Sequence, residues 1–446
     1  MSDLLVGNEA EVEAVAAAPV AGRRSLPMLA NALALIFGRV VTMSLGFFSW
    51  LLAAHLLARA DVGLAGGTIA AMMLCVQIAL LGIGSAVIAE FPRAASPQKL
   101  LATALTLVAG ASIATAALFL LVARAAFEQL GTVASDPKLA LLFVGMALFG
   151  TINLFLDHVS TVQRRGDHVL ARGAVTGLLI LVIVVALPKL FGIRDAGVIF
   201  LAWTVGGACA TTLGLLQLRR TVGFRPRLAV DRAIARRLVH IGIPNYLLTV
   251  VERAPNSLVP IVVVESLGRV ENAYWYAAWM MAWLLYFVPI SVGMTVFAEA
   301  SHEPGALRRH VERGLKISLA LGVAGAAFLA VLAHLLLRVL GPSYARDGSG
   351  ALRILVIAVV PVVLVQAYFA ACRATHKLNE AIIAGAITVV LAVAGAVAAT
   401  EHWGSLEAVA VAWLAAQTAA GLFAVGRLRA VTMPRVSVPF VLAAAR

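Results

Sequence analysis

The sequence predicts an all-α polytopic membrane protein with about twelve transmembrane helices arranged as two related halves. Three observations predict this fold. Of the 446 residues, 62% are hydrophobic and 13% are charged, whereas soluble domains contain about half apolar and a quarter charged residues. Apolar runs of roughly 20 residues recur along the chain, and each is long enough to cross a hydrocarbon core about 30 Å thick. Landmarks in the second half also repeat those of the first half after 209 or 210 residues.

Twelve apolar runs divide the chain, and the short connections between them leave no room for a soluble domain. The predicted spans are residues 30–57, 64–91, 100–123, 139–162, 171–190, 197–218, 239–264, 273–298, 315–338, 351–371, 380–400 and 405–426.

The internal repeat joins charged residues at the ends of corresponding spans. Span ends collect charges in any membrane protein, so chance is the alternative explanation, but three turns agree within one residue. A long period in an apolar chain indicates two homologous membrane halves with a substrate site between them. The matched pairs are Arg59 and Arg269, Asp61 and Glu271, Glu90 and Glu299, and Arg164 and Arg373.

The distribution of positive charge predicts the orientation. With the amino terminus inside, 24 of the 35 Lys and Arg residues fall in inner segments, nine fall in outer segments, and two lie within spans. Positive charge accumulates on the cytoplasmic side, so both termini are predicted to be cytoplasmic. The predicted divisions are a cytoplasmic N-terminal tail (1–27), an N-lobe with helices 1–6 (28–218), a basic cytoplasmic linker (219–238), a C-lobe with helices 7–12 (239–428) and a cytoplasmic C-terminal tail (429–446).

The net charge of +13 reflects this topology. No nucleic-acid partner is expected, because the basic residues are scattered among inner turns instead of forming one surface with stacking aromatics. The basic linker has two interpretations. It lies on anionic membrane lipids with Leu228, Ile234 and Leu238 facing the bilayer, or it is a solvated connection that only determines the topology.

Two predicted spans contain charged residues away from their ends. Arg39 lies in the first span, and Glu252 and Arg253 lie near the middle of the seventh. An ionised side chain at the bilayer centre costs at least about 2.5–3.5 kcal/mol, so such residues normally face a bundle interior or a wet cavity. Glu252 and Arg253 are splayed about 100° apart on a helix and are each expected to have a separate partner. The alternative is a buried ion pair that only joins helices.

The same seventh span carries further groups typical of a cavity wall. Pro244, Pro255 and Pro260 remove backbone donors and are expected to kink the helix, while Tyr246 and Asn256 add hydrogen-bonding groups. An offset of 210 residues places Arg253 opposite position 43, one helical turn from Arg39. The predicted cavity is therefore lined by a near-symmetric cation pair together with Asn256 and Tyr246. Glu252 is the asymmetric acid, since its counterpart is Thr42.

Several site classes have no sequence signal. No phosphate-binding glycine loop ending in Lys-Ser or Lys-Thr is present, and no His, Cys or carboxylate cluster has metal-ligand spacing. The residues Gly82-Ile83-Gly84 lie inside an apolar span with no strand before them, which does not fit a dinucleotide site. We therefore expect no enzyme activity, no metal site and no bound cofactor.

Three segments carry a family resemblance, namely the stretch 51–63, LLAAHLLARADVG, the run Val339–Tyr344 continued by Leu352–Leu355, and the turn Cys372–Lys377. In this order they resemble the join between the first two helices, the entry into the tenth helix and the next connection of one family. That family is the polysaccharide (O-antigen and exopolysaccharide type) flippases of the multidrug/oligosaccharidyl-lipid/polysaccharide (MOP) exporter superfamily. The similarity extends over nearly the whole chain through short motifs. The join around Ala60 is shorter than the family pattern, and the first span lacks the acidic residue often found in drug-exporting relatives.

The resemblance implies a MATE-like fold of two pseudo-symmetric six-helix lobes that alternate between inward-open and outward-open states. It implies transport of a polyprenyl-diphosphate-linked oligosaccharide to the outer leaflet of a bacterial cytoplasmic membrane for polysaccharide or lipopolysaccharide synthesis. Arg39 and Arg253 would bind the diphosphate, Glu252 would couple transport to H⁺ or Na⁺, and a polymerase and glycosyltransferases would be partners. Two alternatives are a cation-coupled drug or metabolite antiporter and a non-transporting scaffold for envelope synthesis.

Overall fold

The computed structural model describes residues 28–432, apart from the side chains of residues 28–40, 244–245, 298, 301–302, 304 and 432. Within this range the backbone forms helices joined by short connections, and no strand occurs. The predicted tail 1–27, residues 433–446 of the other predicted tail, and the side chain of Arg39 lie outside the described part of the chain.

Helices follow each of the twelve apolar runs. Ten single helices are long and apolar enough to cross a membrane, and a bent pair of helices forms an eleventh span. A 29-residue helix occupies the first predicted run, so the fold is all-α and polytopic as predicted. The helices are α1 (Met28–Leu56), α2a (Arg59–Ala79), α2b (Ile83–Glu90), α3 (Pro97–Ala126), α4 (Pro137–Val162), α5 (Gly166–Ala186), α6 (Gly197–Val222), α7 (Arg232–Ser266), α8 (Arg269–His302), α9 (Leu307–Leu340), α10a (Pro342–Ile357), α10b (Val359–Ala374), α11 (Leu378–Trp403) and α12 (Leu406–Thr432).

Several helices begin at a side-chain cap. The Asp136 carboxylate accepts hydrogen bonds from the first backbone N–H groups of α4, and Asp231 does the same for α7. Ser96 caps α3 through Lys99 N. These groups satisfy backbone donors that have no partner within the helix. Proline at the first position of α3 and α4 suits a site where no donor is needed.

Two spans are broken for identifiable reasons. The tenth span bends by 41° between α10a and α10b, where Pro361 has no N–H to offer the Ile357 carbonyl. The second span breaks between α2a and α2b, where Leu81 and Gly82 both have positive φ. A Cβ at Gly82 would lie 2.4 Å from the Gly242 carbonyl oxygen, so α2 and α7 approach closely only because both positions are glycine.

The helices pack as two six-helix lobes with corresponding neighbours. In the N-lobe α1 packs on α5, α4 on α6 and α2 on α4, while in the C-lobe α7 packs on α11, α10 on α12 and α8 on α10. The residue that follows Gly63 by one period is Asn272, and the Asn272 side chain donates to the Gly63 carbonyl oxygen at 2.7 Å. Equivalent residues that touch each other lie on a two-fold axis. The α2–α8 contact therefore lies on the pseudo-symmetry axis.

We call the outer end the end of the bundle that carries the turns after α1 and α7, following the orientation predicted from the charge distribution. At the outer end and through the middle, residues of both lobes form one continuous apolar core. Towards the inner end, two separate clusters replace it. One consists mainly of N-lobe residues from α2b, α3, α4 and α6, and the other consists of C-lobe residues from α7 to α12. The apolar core is therefore continuous at the outer end, whereas towards the inner end the lobes meet mainly through α7, whose Gly242 contacts Gly82 and whose Arg237 pairs with Glu90 at 2.7 Å.

The connection between the lobes is shorter than the predicted linker, because α6 continues to Val222 and α7 begins at Arg232. It runs along α3, where the Thr103 and Thr106 hydroxyls accept hydrogen bonds from linker backbone N–H groups. Of the two interpretations of the linker, the one in which Ile234 and Leu238 face lipid is wrong. Leu238 is fully buried, and Ile234 packs on the inner N-lobe cluster, because this part of α7 lies against the protein. Leu228 is 90% exposed. The predicted residue limits of the lobes and tails stay a prediction.

Candidate functional site

The seventh span carries most of the predicted site residues on one unbroken helix. α7 runs for 35 residues through all three of its prolines, so the expected kink does not interrupt the helix. The part long and apolar enough to span a membrane is Tyr246–Ser266. Glu252 and Arg253 lie well inside it, about 20 Å from its outer end at 1.5 Å per residue.

Glu252 forms an ion pair with Arg373, which belongs to the last turn of α10b. The Arg373 Nη2 atom donates to the Glu252 Oε2 atom at 2.6 Å, and the two side chains are only 11–12% exposed. Glu252 thus has a partner other than Arg253, as the splay of neighbouring helix positions predicts. Arg373 was noticed in the sequence only as a repeat landmark, because nothing in its short turn indicates a partner 121 residues away.

A cavity lies inside the C-lobe beside this ion pair. It encloses about 50 Å³ of space open to water-sized molecules, which is room for a few waters. Glu252, Arg253 and Asn256 form its α7 wall. The polar groups that face them come from the other helices of the same lobe, namely Gln366 of α10b, Thr388 of α11, and Gln417 and Trp413 of α12. The predicted trio on α7 therefore borders a polar cavity built by one lobe.

Arg253 also belongs to the stripe of α7 that faces the N-lobe. Gly242 and Tyr246 lie on this stripe, and both contact the inner half of the second span. Arg253 follows Tyr246 by seven residues, or nearly two full turns, so it points in a similar direction. It is exposed, whereas its neighbour Ala254 is buried. Arg253 thus starts from the side of α7 that faces the N-lobe, and its side chain also borders the C-lobe cavity.

Tyr246 differs from its predicted role. Its hydroxyl donates to the Ile78 carbonyl oxygen of α2a at 2.5 Å. Ile78 lies just before the break in the second span, where the chain leaves regular helix. Tyr246 therefore joins α7 to α2, and it is not among the side chains around the C-lobe cavity.

The outer end of the lobe interface is closed by glycine-mediated packing. A Cβ at Gly63 would lie 1.6 Å from the Arg269 carbonyl oxygen, and one at Gly66 would lie 2.9 Å from the Tyr276 ring. The Tyr276 ring also packs on Trp50 of α1 with 4.7 Å between centroids. Such contacts allow α2 and α8 to meet backbone to backbone.

A polar latch, formed by Glu265 and Arg269 of the C-lobe and residues 128–132 of the N-lobe, surrounds this contact. The Glu265 carboxylate accepts hydrogen bonds from the backbone N–H groups of residues 128, 129 and 130 at 2.8–3.0 Å. Arg269 donates to the Gln129 side chain at 2.7 Å and to the Thr132 hydroxyl at 3.0 Å. Arg59, the repeat partner of Arg269, crosses in the other direction and donates to the Tyr274 hydroxyl at 3.3 Å. The latch thus ties each lobe to the other.

The N-lobe contains a buried charged cluster for which the sequence predicted no site role. Arg172 of α5 is 3% exposed and bonds Asp157 and Gln217, each at 2.7 Å, and Ser160 at 3.1 Å. Gly214 makes room for its stem, since a Cβ there would lie 2.9 Å from the Arg172 Cδ atom. The predicted fifth span starts at residue 171, so the sequence placed Arg172 at a membrane boundary. In the structure α5 begins at Gly166, which places Arg172 within the helix.

No protein-family model and no curated protein sequence matches this chain significantly. Solved structures do match it. One is a lipid II flippase MurJ in an inward closed conformation, with a TM-score of 0.72 and 14% identity. The alignment covers 90% of this chain and 87% of the flippase. An outward-facing multidrug resistance MATE family transporter of the MOP superfamily covers 91% and 96%, with a TM-score of 0.63 and 15% identity.

A MOP superfamily transporter from Pyrococcus furiosus gives a TM-score of 0.59 at 15% identity, over 91% of this chain and 96% of its own. That protein is described as having a binding pocket of reverse polarity, which suggests a different function. The chain therefore has the fold of MOP-type transporters and flippases. At such identities the likeness defines the fold alone, and the substrate must be argued from the site.

Proposed function

We propose that this protein is a flippase that moves a polyprenyl-diphosphate-linked oligosaccharide from the inner to the outer leaflet by alternating access. The membrane is a bacterial cytoplasmic membrane, and both termini face the cytoplasm. The product feeds the synthesis of a surface polysaccharide of the O-antigen or exopolysaccharide type, with a polymerase and glycosyltransferases as partners. The fold match to a lipid II flippase supports a lipid-linked substrate.

The observation that carries the proposal is the exposed Arg253 in the middle of α7. A permanently charged group at mid-span is costly unless it faces water or an anion, and Arg253 is exposed and borders the polar C-lobe cavity. A diphosphate has the charge and geometry for bidentate guanidinium contacts. Arg39, one turn from the equivalent position in α1, is proposed as the second cation, and Asn256 contributes hydrogen bonds from the cavity wall.

The continuous apolar core at the outer end and the two clusters towards the inner end support an inward-facing step of the cycle. With the latch closed, substrate enters from the inner leaflet, and the lipid tail remains in the bilayer between the lobes. Glu252 is proposed as the group that couples transport to H⁺ or Na⁺, since it is the acid without a counterpart in the other lobe. Tyr246 holds α7 against α2.

The antiporter alternative receives less support from the site. A cationic drug would need net negative charge in the cavity, but Arg373 neutralises Glu252 at 2.6 Å. The same wall also carries Arg253. The scaffold alternative predicts that the charged residues of the site are dispensable.

The test measures flipping of a fluorescent lipid-linked saccharide in proteoliposomes, using purified full-length protein. Arg253→Ala and Arg39→Ala are expected to reduce the initial rate at least tenfold, and Arg253→Lys is expected to restore only part of it because lysine lacks the bidentate fork. Arg338→Ala, which removes an exposed arginine from the outer part of α9, is the control. Normal rates in both alanine variants at equal reconstitution would refute the proposal.

A further inference from the structure

The ion pair between Glu252 and Arg373 lies at the edge of the C-lobe cavity, a position that a purely structural ion pair does not need. Glu252 lines the C-lobe cavity while its carboxylate holds Arg373, which lies one turn beyond the lining residue Phe369. Burying two charges costs desolvation that the pair repays only with good geometry, and an apolar pair of similar size is often as stable. A pair at the edge of a polar cavity is therefore accessible to competition by another anion.

The internal repeat shows that the carboxylate paired with Arg373, that of Glu252, occurs in one lobe only. The equivalents of Glu252 and Arg373 in the N-lobe are Thr42 and Arg164, so the arginine has a counterpart and the acid does not. The C-lobe thus holds a cation of the kind that binds phosphate, occupied by an internal carboxylate. A carboxylate and a phosphate oxygen present similar acceptors to a guanidinium.

From this geometry we infer that Glu252 is a stand-in for the phosphate of the substrate, and that Arg373 is a further anion-binding residue that becomes available when substrate displaces Glu252. The inference rests on the proposed function and extends it. Arg253, which borders the same cavity as Glu252, makes the first contact, and the bound phosphate then exchanges with Glu252 on Arg373.

The replacement of Glu252 by phosphate on Arg373 would explain why substrate binding is coupled to an ion. Once Arg373 bonds the phosphate, the Glu252 carboxylate is left without its counter-charge in a largely buried position. Such a charge needs compensation, so a proton or a cation from the inner solution accompanies the substrate. Asn256, one turn from Glu252 on α7, lies on the same cavity wall as the released carboxylate.

The experiment is a double-mutant cycle on binding, with the full-length protein in nanodiscs. The probe is a short-chain polyprenyl diphosphate measured by calorimetry, and the corresponding uncharged polyprenol is the ligand control. Glu252→Gln removes the competitor at nearly constant size and is expected to tighten binding about tenfold, in the range of measured couplings between close charges. In an Arg373→Gln background the same change is expected to have no effect.

The outcomes separate the inference from the proposed function. Unchanged or weaker binding by Glu252→Gln, or tightening that persists without Arg373, overturns the exchange. If the wild-type protein binds the polyprenyl diphosphate no better than the uncharged polyprenol, the proposed function is overturned instead. The reversed pair, Glu252→Arg with Arg373→Glu, restores the ion pair if either single variant unfolds. We expect it to fold and still to bind the probe more weakly than wild type, because the exchanged cation has moved; wild-type affinity would contradict the inference.

Discussion

The Glu265 latch provides a direct test of how the lobes are held together at the outer end. Three backbone N–H groups of the loop before Gly131 donate to this one carboxylate. Hydrogen bonds to a charged group contribute about 1.5–3 kcal/mol each when buried. Glu265 is half-buried, so water replaces much of what a truncation removes. A total loss of about 2–3 kcal/mol is the reasonable expectation for Glu265→Ala.

This loss acts only on conformations in which the outer ends meet, because the donors and the acceptor belong to different lobes. A difference of about 2–3 kcal/mol raises the ratio of open to closed outer ends about 30- to 150-fold. Glu265→Gln keeps one carbonyl oxygen and is expected to give about half of that free-energy change. Arg269, which holds the same loop from the other side, remains in both variants.

The assay is a spin-label distance measurement between Lys138→Cys in the N-lobe and Arg346→Cys in the C-lobe, both exposed positions near the outer end. The native cysteines Cys75, Cys209 and Cys372 are replaced first. Glu265→Ala is expected to add a longer distance to a distribution that is short and narrow in the wild type.

Glu128→Ala is the matched control for the latch. It removes an acidic side chain from the same loop, but the contact of this residue with Glu265 is made by its backbone N–H. The control should leave the distance distribution unchanged. If Glu265→Ala also leaves it unchanged while its thermal unfolding stays close to wild type, the reasoning about the latch is wrong.

Two further predictions concern packing. Arg172→Ala should lower the free energy of unfolding by about 3–5 kcal/mol, because it leaves the partly buried Asp157 without its cation. Thermal unfolding in detergent measures this loss. A loss below about 1 kcal/mol would contradict the role assigned to the cluster. Gly242→Ala should separate α2 from α7 and slow flipping, because its Cβ would lie 2.5 Å from the Gly82 carbonyl oxygen. Gly110→Ala is the control, because no atom lies within 4 Å of a Cβ there. Equal flipping rates in the two variants would contradict the importance of the α2–α7 contact.

The candidate site was partly predictable from sequence. Glu252, Arg253 and Asn256 were predicted to be cavity residues because charged and amide side chains in the middle of an apolar run need a polar environment, and the structure places all three on one cavity wall. The cavity lies within the C-lobe, however, and Tyr246 bonds α2 instead. Spacing along α7 determines which side chains share a face, but it does not determine which helix each face meets.

Residues that act through long-range contacts were not predicted as site residues. Arg373 was predicted to lie in a short basic turn, and Glu265 had no predicted role. Their roles depend on partners 121 and 135–137 residues away. No local pattern marks a residue whose partner is brought near only when two lobes assemble.

The sequence by itself determined the number of spans, the predicted orientation and the two-fold repeat. These properties follow from hydropathy, the placement of arginine and lysine, and residue identity at a constant offset, all of which are local or periodic. The tertiary structure alone decided how the two halves meet. The contact between Gly63 and Asn272 puts the axis at the outer end of α2 and α8, and the apolar core is continuous there and divided towards the inner end. This arrangement depends on close backbone packing between lobes, which is a property of shape in three dimensions and leaves no periodic signal in the chain.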